Sequence, residues 1–353
     1  MKSDLNEEKL YLFLLSKIKG FGQAKIWQLI QAGQAPSEIY ASPPEKLARL
    51  IKSESRFYQA RVKEYEQLTD HLTILDSDYP RLLKNIYDPP LWLFYKGNKK
   101  LLTSDFLITI VGSRTLTSYH QAVTKKIIQA FQNTPLVIVS GLALGIDGLS
   151  HQAALENNLP TVAVLGSGFA KNTLYPQQNL ALAQKIVSHD GLLLSEYPPD
   201  TPPALHQFPK RNRILAGLSK ATMIISGRAK SGTLITAQLA LDGGREVYAL
   251  PGNVNLELNQ GPNQLIEQGA DILLNNEKIF ATYDLKQTPK QASLNLDDPY
   301  QRQVYSSLHI EALTLEQLST RLKVDLSIIN VAVTKLELKG LAQINKFNQA
   351  EII

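Results

Sequence analysis

From Phe106 onward, short aliphatic or β-branched runs alternate with stretches of helical periodicity, and this alternation constrains the fold more than any other feature. The runs are Phe106 to Val111, Leu136 to Ser140, Thr161 to Leu165, Leu192 to Ser195, Thr222 to Ser226, Glu246 to Leu250 and Asp271 to Leu274. Strands separated by helices predict an α/β fold, a Rossmann-like doubly wound parallel sheet with helices on both faces. Such a sheet takes its ligands outside the carboxyl ends of the strands. The residues just after each run are therefore the ones to read.

Those residues are rich in glycine. Gly112-Ser113-Arg114 follows the first run and Gly141-Leu142-Ala143-Leu144-Gly145-Ile146-Asp147 the second. Gly166-Ser167-Gly168 follows the third, and Gly227 through Ser231-Gly232-Thr233 the fifth. Bare amides at a helix start suit a phosphate or another anion. A dinucleotide is not indicated, because no Gly-x-Gly-x-x-Gly opens the first helix and the second strand ends in Ser140-Gly141 instead of a ribose-binding acid. Gly227-x-x-x-x-Gly232 resembles a phosphate loop, but Thr233 stands where the phosphate-binding lysine belongs. No nucleotide cofactor and no metal site is expected.

Catalytic machinery is equally hard to assemble. There is no Gly-x-Ser-x-Gly elbow, and a chain with 0 cysteines has no thiol nucleophile, thiolate zinc site or disulfide framework. His151 has Asp147 one helical turn away, but without a nucleophile or third ligand the pair makes no active site, and an acid at a helix start acts as a cap or dipole partner. The reading is a protein that is not an enzyme.

Charge supplies the positive signal. The 353 residues carry a formal net charge of +5, and Tyr197 to Gly232 alone holds six basic residues, Lys210, Arg211, Arg213, Lys220, Arg228 and Lys230, against Asp200. Phe208-Pro209-Lys210-Arg211-Asn212-Arg213 opens a helix inside this segment. Arginine forks match phosphate, asparagine reaches phosphates or base edges, and an exposed Phe208 stacks a base. Basic and aromatic groups beside anion-binding turns suit single-stranded nucleic acid.

The flanks read differently. Residues 1–75 read as short helices, with Lys19-Gly20-Phe21-Gly22 as the turn of a helix-hairpin-helix pattern; 76–98 reads as a loop-rich connector with a strand-like Leu91 to Tyr95, packed onto the sheet domain that ends near 285. The polar stretch 286–298 is a linker. Residues 299–353 read as three helices and two short strands, a winged helix-turn-helix pattern opened at its second helix by a Thr314-x-x-Gln317 capping box. Its third helix, Leu326 to Lys339, offers only Lys335 and Lys339 against Glu337, too little charge for reading duplex sequence, so protein contact is the favoured role. The longest early apolar run, Leu10 to Leu15, is too short to span a bilayer, and the acidic N-terminus does not suit a signal peptide. A cytoplasmic protein with no membrane partner is expected.

Taken together, Val111-Gly112-Ser113-Arg114, Ser140 to Asp147, Phe208 to Ile214, Ser231-Gly232-Thr233-Leu234-Ile235-Thr236-Ala237 and Ala249-Leu250-Pro251-Gly252-Asn253 resemble the DNA-processing protein A (DprA or Smf) family of bacteria. The resemblance implies an extended Rossmann-like domain that binds and protects single-stranded DNA without sequence preference. It further implies loading of the RecA recombinase onto that DNA during transformation, dealings with single-strand DNA-binding protein, and a homodimer through the Rossmann-like domain. The N-terminal helices would form a SAM or helix-hairpin-helix-like domain and the C-terminus a winged helix. DNA-binding roles fall on Ser113, Arg114, Gly166, Ser167, Gly168, Phe208, Lys210, Arg211, Asn212, Arg213, Lys230, Ser231, Gly232 and Thr233.

Two other classes compete. A nucleotide phosphoribohydrolase of the lysine-decarboxylase-like group needs an acid where this chain has Thr236, and a winged-helix transcription regulator needs a basic recognition helix.

Overall fold

The computed structural model describes residues 2–68, 70–285, 298–308, 310–345 and 348–352. It divides into two compact units, Met1–Lys286 and Gln287–Ile353. Most of the linker read at 286–298 lies outside the described residues.

The first unit is built on one nine-stranded sheet. Its strands are β1 (His71–Thr73), β2 (Trp92–Gly97), β3 (Leu107–Val111), β4 (Val137–Ser140), β5 (Thr161–Leu165), β6 (Leu192–Ser195), β7 (Ala221–Ile224), β8 (Glu246–Ala249) and β9 (Asp271–Ile272). They lie in the order β1-β2-β6-β5-β4-β3-β7-β8-β9. The seven strands from β3 onward run parallel, as their pairings show. β2 joins β6 antiparallel, pairing Phe94 with Ser195, and β1 joins β2 antiparallel. β1 lies within the stretch read from sequence as helical, because three residues are too few for alternation to show.

Of the parallel strands, β3 to β7 are buried on both faces, which is why they read as continuous, mostly apolar runs. Alternate residues part to opposite sides: Val137 and Val139 join one core, while Ile138 joins the other with Ile108, Ile110 and Met223. Helices α1 (Lys2–Ser16), α2 (Gln23–Gln31), α3 (Pro36–Ala41), α4 (Glu45–Glu54) and α5 (Tyr58–Glu66) precede the sheet. They share the first of these cores, burying Leu12, Leu15, Ile26, Ile39 and Leu47 in one cluster with Trp92 and Phe94 of β2. Phe13 meets the Trp92 ring edge-on at 5.7 Å. The helices are thus packed onto the sheet's antiparallel edge.

After the short α6 (Arg81–Lys84) come the crossover helices α7 (Ser118–Ala130), α8 (Ile146–Glu156), α9 (Leu180–Ser188), α10 (Gln207–Leu218), α11 (Gly232–Asp242), α12 (Glu257–Glu267) and α13 (Glu277–Thr282). From β3 the chain winds through β4, β5 and β6, then returns to place β7 on β3's other side. The order of winding reverses between β3 and β7, and the crevice above their carboxyl ends is the ligand position of this architecture.

The second unit holds α14 (Pro299–Leu308), α15 (Leu315–Leu322), α16 (Leu326–Leu338) and an antiparallel pair, β10 (Ala342–Ile344) and β11 (Ala350–Ile352). Val304, Leu318, Ile329, Val333 and Leu336 form its core. The capping box is present: Thr314 Oγ1 accepts from the Gln317 amide at 3.3 Å, and Gln317 Oε1 accepts from the Thr314 amide at 2.8 Å. On α16, Lys335 pairs with Asp298 and Lys339 donates to Gln301, while Ile328, Val331 and Leu338 are exposed. Among the described residues no helix is long and apolar enough to cross a membrane.

Candidate nucleic-acid interface

A cleft of about 530 Å³ opens at the crevice between β3 and β7. Its walls are the Ser113–Arg114 turn after β3, Phe208 and Asn212 of α10, and the Ser231–Thr233 start of α11. The two central turns are tied together. Ser226 Oγ, just past β7, accepts from the Ser113 amide at 3.0 Å, and the Ile146 amide donates to the Ser113 carbonyl at 3.1 Å. Gly145 makes that approach possible: its φ is +81°, and a Cβ there would sit 2.2 Å from the Ser113 oxygen.

The glycine-rich turns are not equivalent. Asp147 is buried at the start of α8, where its carboxylate accepts from the Gly141 amide at 3.2 Å and from the Gly112 and Ala143 backbone. The protein's own carboxylate thus occupies the amides that the sequence offers to a phosphate in the β4–α8 turn. Burial raises the Asp147 pKa, against the pull of those amides and of the Arg211 guanidinium. His151 is not its partner: its Nδ1 lies 2.7 Å from Thr161 Oγ1, which itself donates to the Ile138 carbonyl, so Nδ1 carries the proton. At the start of α11, by contrast, the Gly232 and Thr233 amides have no acceptor among the described residues. That helix start faces the cleft with free donors and the positive end of its dipole.

The basic segment divides sharply. Arg211 is 6% exposed; its guanidinium donates to the carbonyls of Gly141, at 2.8 Å, and Val164, tying the ends of β4 and β5 together. Burial lowers its pKa, with Arg114 adding to the effect and Asp147 opposing it. Arg213, 8% exposed, points away from the cleft, with Nη2 2.7 Å from Glu196 and Nε 3.2 Å from Asp88. Burial alone would lower its pKa, but these two carboxylates outweigh it and raise it. Lys210 shares the same Glu196 oxygen at 3.1 Å. Exposed Arg228 pairs with Glu257. Arg114 and Lys230 are exposed and have no acidic partner among the described residues, and only Arg114 lines the cleft.

Gly166, Ser167 and Gly168 are buried and do not line the cleft. A Cβ on Gly166 would meet the Phe208 ring at 2.7 Å, and one on Gly168 the Pro199 carbonyl oxygen at 1.9 Å. These glycines let Phe208 and the 198–201 loop pack onto β5. Phe208 is half-buried and forms one wall of the cleft. Asn212 Oδ1 accepts from Arg211 Nε at 3.2 Å, and its amide donates to the Gly232 carbonyl at 3.3 Å, bridging α10 to α11. Two apolar rim residues escaped the sequence reading: Leu205, 90% exposed, and Ile235 on the outer face of α11. Only their exposure distinguishes them, and exposure is not visible in a linear pattern. Where a hydrolase would place its acid, the Thr236 hydroxyl donates to the Gly232 carbonyl at 3.4 Å.

The sequence model of the DNA recombination-mediator protein A family matches residues 70–284. The chain belongs to that family. It is 44% identical over 215 residues to DNA processing protein DprA of Bacillus subtilis, covering 61% of this chain and 71% of that one. With DprA of Streptococcus pneumoniae the figures are 40% over 222 residues, 63% and 77%. The crystal structure of the S. pneumoniae family member superposes with a TM-score of 0.67 at 34% identity, covering 78% of this chain and 96% of that one. A Helicobacter pylori member, whose structure describes its single-stranded DNA binding mode, gives 0.55 at 30% identity, covering 62% and 99%. The family match covers the sheet and its switch-point cleft.

Proposed function

We propose that the protein binds single-stranded DNA in the β3–β7 cleft without sequence preference, protects it, and loads RecA onto it in place of single-strand DNA-binding protein. The single observation that carries this reading is that one cleft is lined by the unpaired, exposed Arg114, by the free amides of Gly232 and Thr233, and by the Phe208 ring. Arg114 and the α11 start meet phosphates, Lys230 extends the positive rim, and Phe208 takes a base. Arg211 and Asn212 hold the walls in place, while Lys210 and Arg213 are bound up with Glu196. Phosphates and ring faces, the groups these residues suit, are common to all four nucleotides, which supports indifference to sequence. The single-strand binding described for the H. pylori relative supports the same ligand.

On this reading the protein acts in the cytoplasm, without catalysis of its own, as a homodimer through the α/β unit. The N-terminal helices form a SAM or helix-hairpin-helix-like domain, and the C-terminal unit is a winged helix whose apolar α16 face contacts protein rather than duplex DNA. Strand exchange on single-stranded DNA coated with its binding protein tests the loading role. Adding this protein should shorten the RecA lag with no nucleotide hydrolysis when RecA is omitted; an unchanged lag would reject it.

A further inference from the structure

Beside the cleft lies a smaller notch, about 40 Å³, lined by Leu144, Tyr175 and Pro176 and sharing Arg114 and Phe208 with its larger neighbour. The Tyr175 ring stands 5.4 Å from the Phe208 ring, tilted by 52°. Tyr175 is 43% exposed and Leu144 40%. The tyrosine therefore packs against Phe208 with part of its ring and leaves the rest exposed beside Leu144 at the mouth of the cleft.

The loop that presents Tyr175 is pinned from several sides. The Ala170 amide, at 3.0 Å, and Thr173 Oγ1, at 2.6 Å, both donate to the Pro199 carbonyl, and Gln177 Nε2 donates to the carbonyls of Lys171 and Leu174. Leu174, the adjacent side chain, is buried. A flat, exposed ring held on a fixed loop loses little freedom when a planar group settles on it.

We propose that Tyr175 is a second base-stacking face, so that two successive bases of one strand lie on Phe208 and Tyr175 while Arg114, common to both cavities, takes the phosphate region between them. This inference rests on the single-strand reading above and deepens it. Bases lying flat on two rings inclined by 52° are inclined to each other. In a duplex, successive bases stay parallel at roughly 3.4 Å. The tilted pair therefore fits a strand that is unstacked at this step, and a duplex would have to open to use it. The site selects single strands by the angle between two rings, without reading any base edge.

The test compares a dT oligonucleotide with an abasic oligomer of the same length, since only the first can stack. Tyr175→Ala should weaken dT binding about tenfold, leave the abasic oligomer and the salt slope unchanged, and narrow the preference over duplex; Tyr175→Phe should restore binding. Arg114→Ala should weaken both oligomers. If Tyr175→Ala binds dT as the parent does while Arg114→Ala loses both, the second stacking face is refuted and the cleft stands. Equal loss of both oligomers in Tyr175→Ala also refutes stacking. If Arg114→Ala binds both normally, the cleft itself is misassigned. Should Tyr175→Ala melt early, Tyr175→Leu, which keeps apolar bulk against Phe208 without a planar face, carries the same expectations for both oligomers.

Discussion

At the scale of single residues, the basic segment shows how differently placed charges behave. Arg211 and Arg213 lie two positions apart in one helix, yet one clamps two strand ends through their carbonyls and the other sits in a buried ion network with Glu196 and Asp88. Glu196 adjoins the segment whose charge stands out in the sequence, and the fold brings it to two of that segment's six cations. Removing Arg213 leaves the buried Glu196 to Lys210, so the cost is at most that of a fully broken buried pair, about 3 kcal/mol. Arg213→Ala should lower the unfolding midpoint in urea accordingly and leave the salt slope of DNA binding unchanged; unaltered stability with a flatter slope would put Arg213 on the DNA. His151 gives a pH signature. Burial lowers its pKa to about 3, so the unfolded chain binds a proton that the folded chain refuses. Stability is therefore fully present above about pH 6.5 and falls toward pH 3, by up to about 1.4 kcal/mol per unit. His120, also lowered by burial, acts in the same direction. Denaturant melts of His151→Gln between pH 6.5 and 4 should show a shallower decline than the parent; an identical decline would mean His151 is not held neutral.

At the scale of elements, β3 to β7 were legible because each is a buried, mostly apolar run of four or five residues. β1 was not, and neither was the destination of each turn. Beside Gly112-Ser113-Arg114, three further glycine-rich turns look alike in sequence. In the fold one is filled by Asp147, one packs beneath Phe208 and the 198–201 loop, and one keeps its amides free at α11. Those fates depend on residues far away in the chain, such as Pro199 against Gly168, which no local pattern carries. The lock between the β3 and β4 turns is the most sensitive joint. Gly145→Ala places a methyl group against the Ser113 carbonyl in a left-handed conformation, a strain on the order of 2 kcal/mol or more. It should lower the melting temperature and weaken oligonucleotide binding together, since Arg114 follows directly on the displaced residue. Normal binding in a destabilised Gly145→Ala protein would separate the joint from the site.

At the scale of the whole molecule, a net charge of +5 over 353 residues is modest, and most of the local surplus is neutralised internally or paired. If the protein binds DNA as proposed, its affinity comes from a few well-placed groups in one cleft rather than from a broad positive surface. This predicts a shallow salt dependence, with few phosphates neutralised, and a clear preference for strands whose bases are free to stack. A second site in a dimer would raise affinity for long strands through effective concentration while leaving short ones unaffected. The most direct measurement is a titration of a short dT oligonucleotide and a duplex of equal length against the parent and Arg114→Ala across a series of salt concentrations. The single strand should bind more tightly than the duplex throughout, and losing Arg114 should weaken binding and reduce the salt slope by about one. An Arg114→Ala protein with the parent's affinity and slope would contradict the assignment of the β3–β7 cleft as the DNA site.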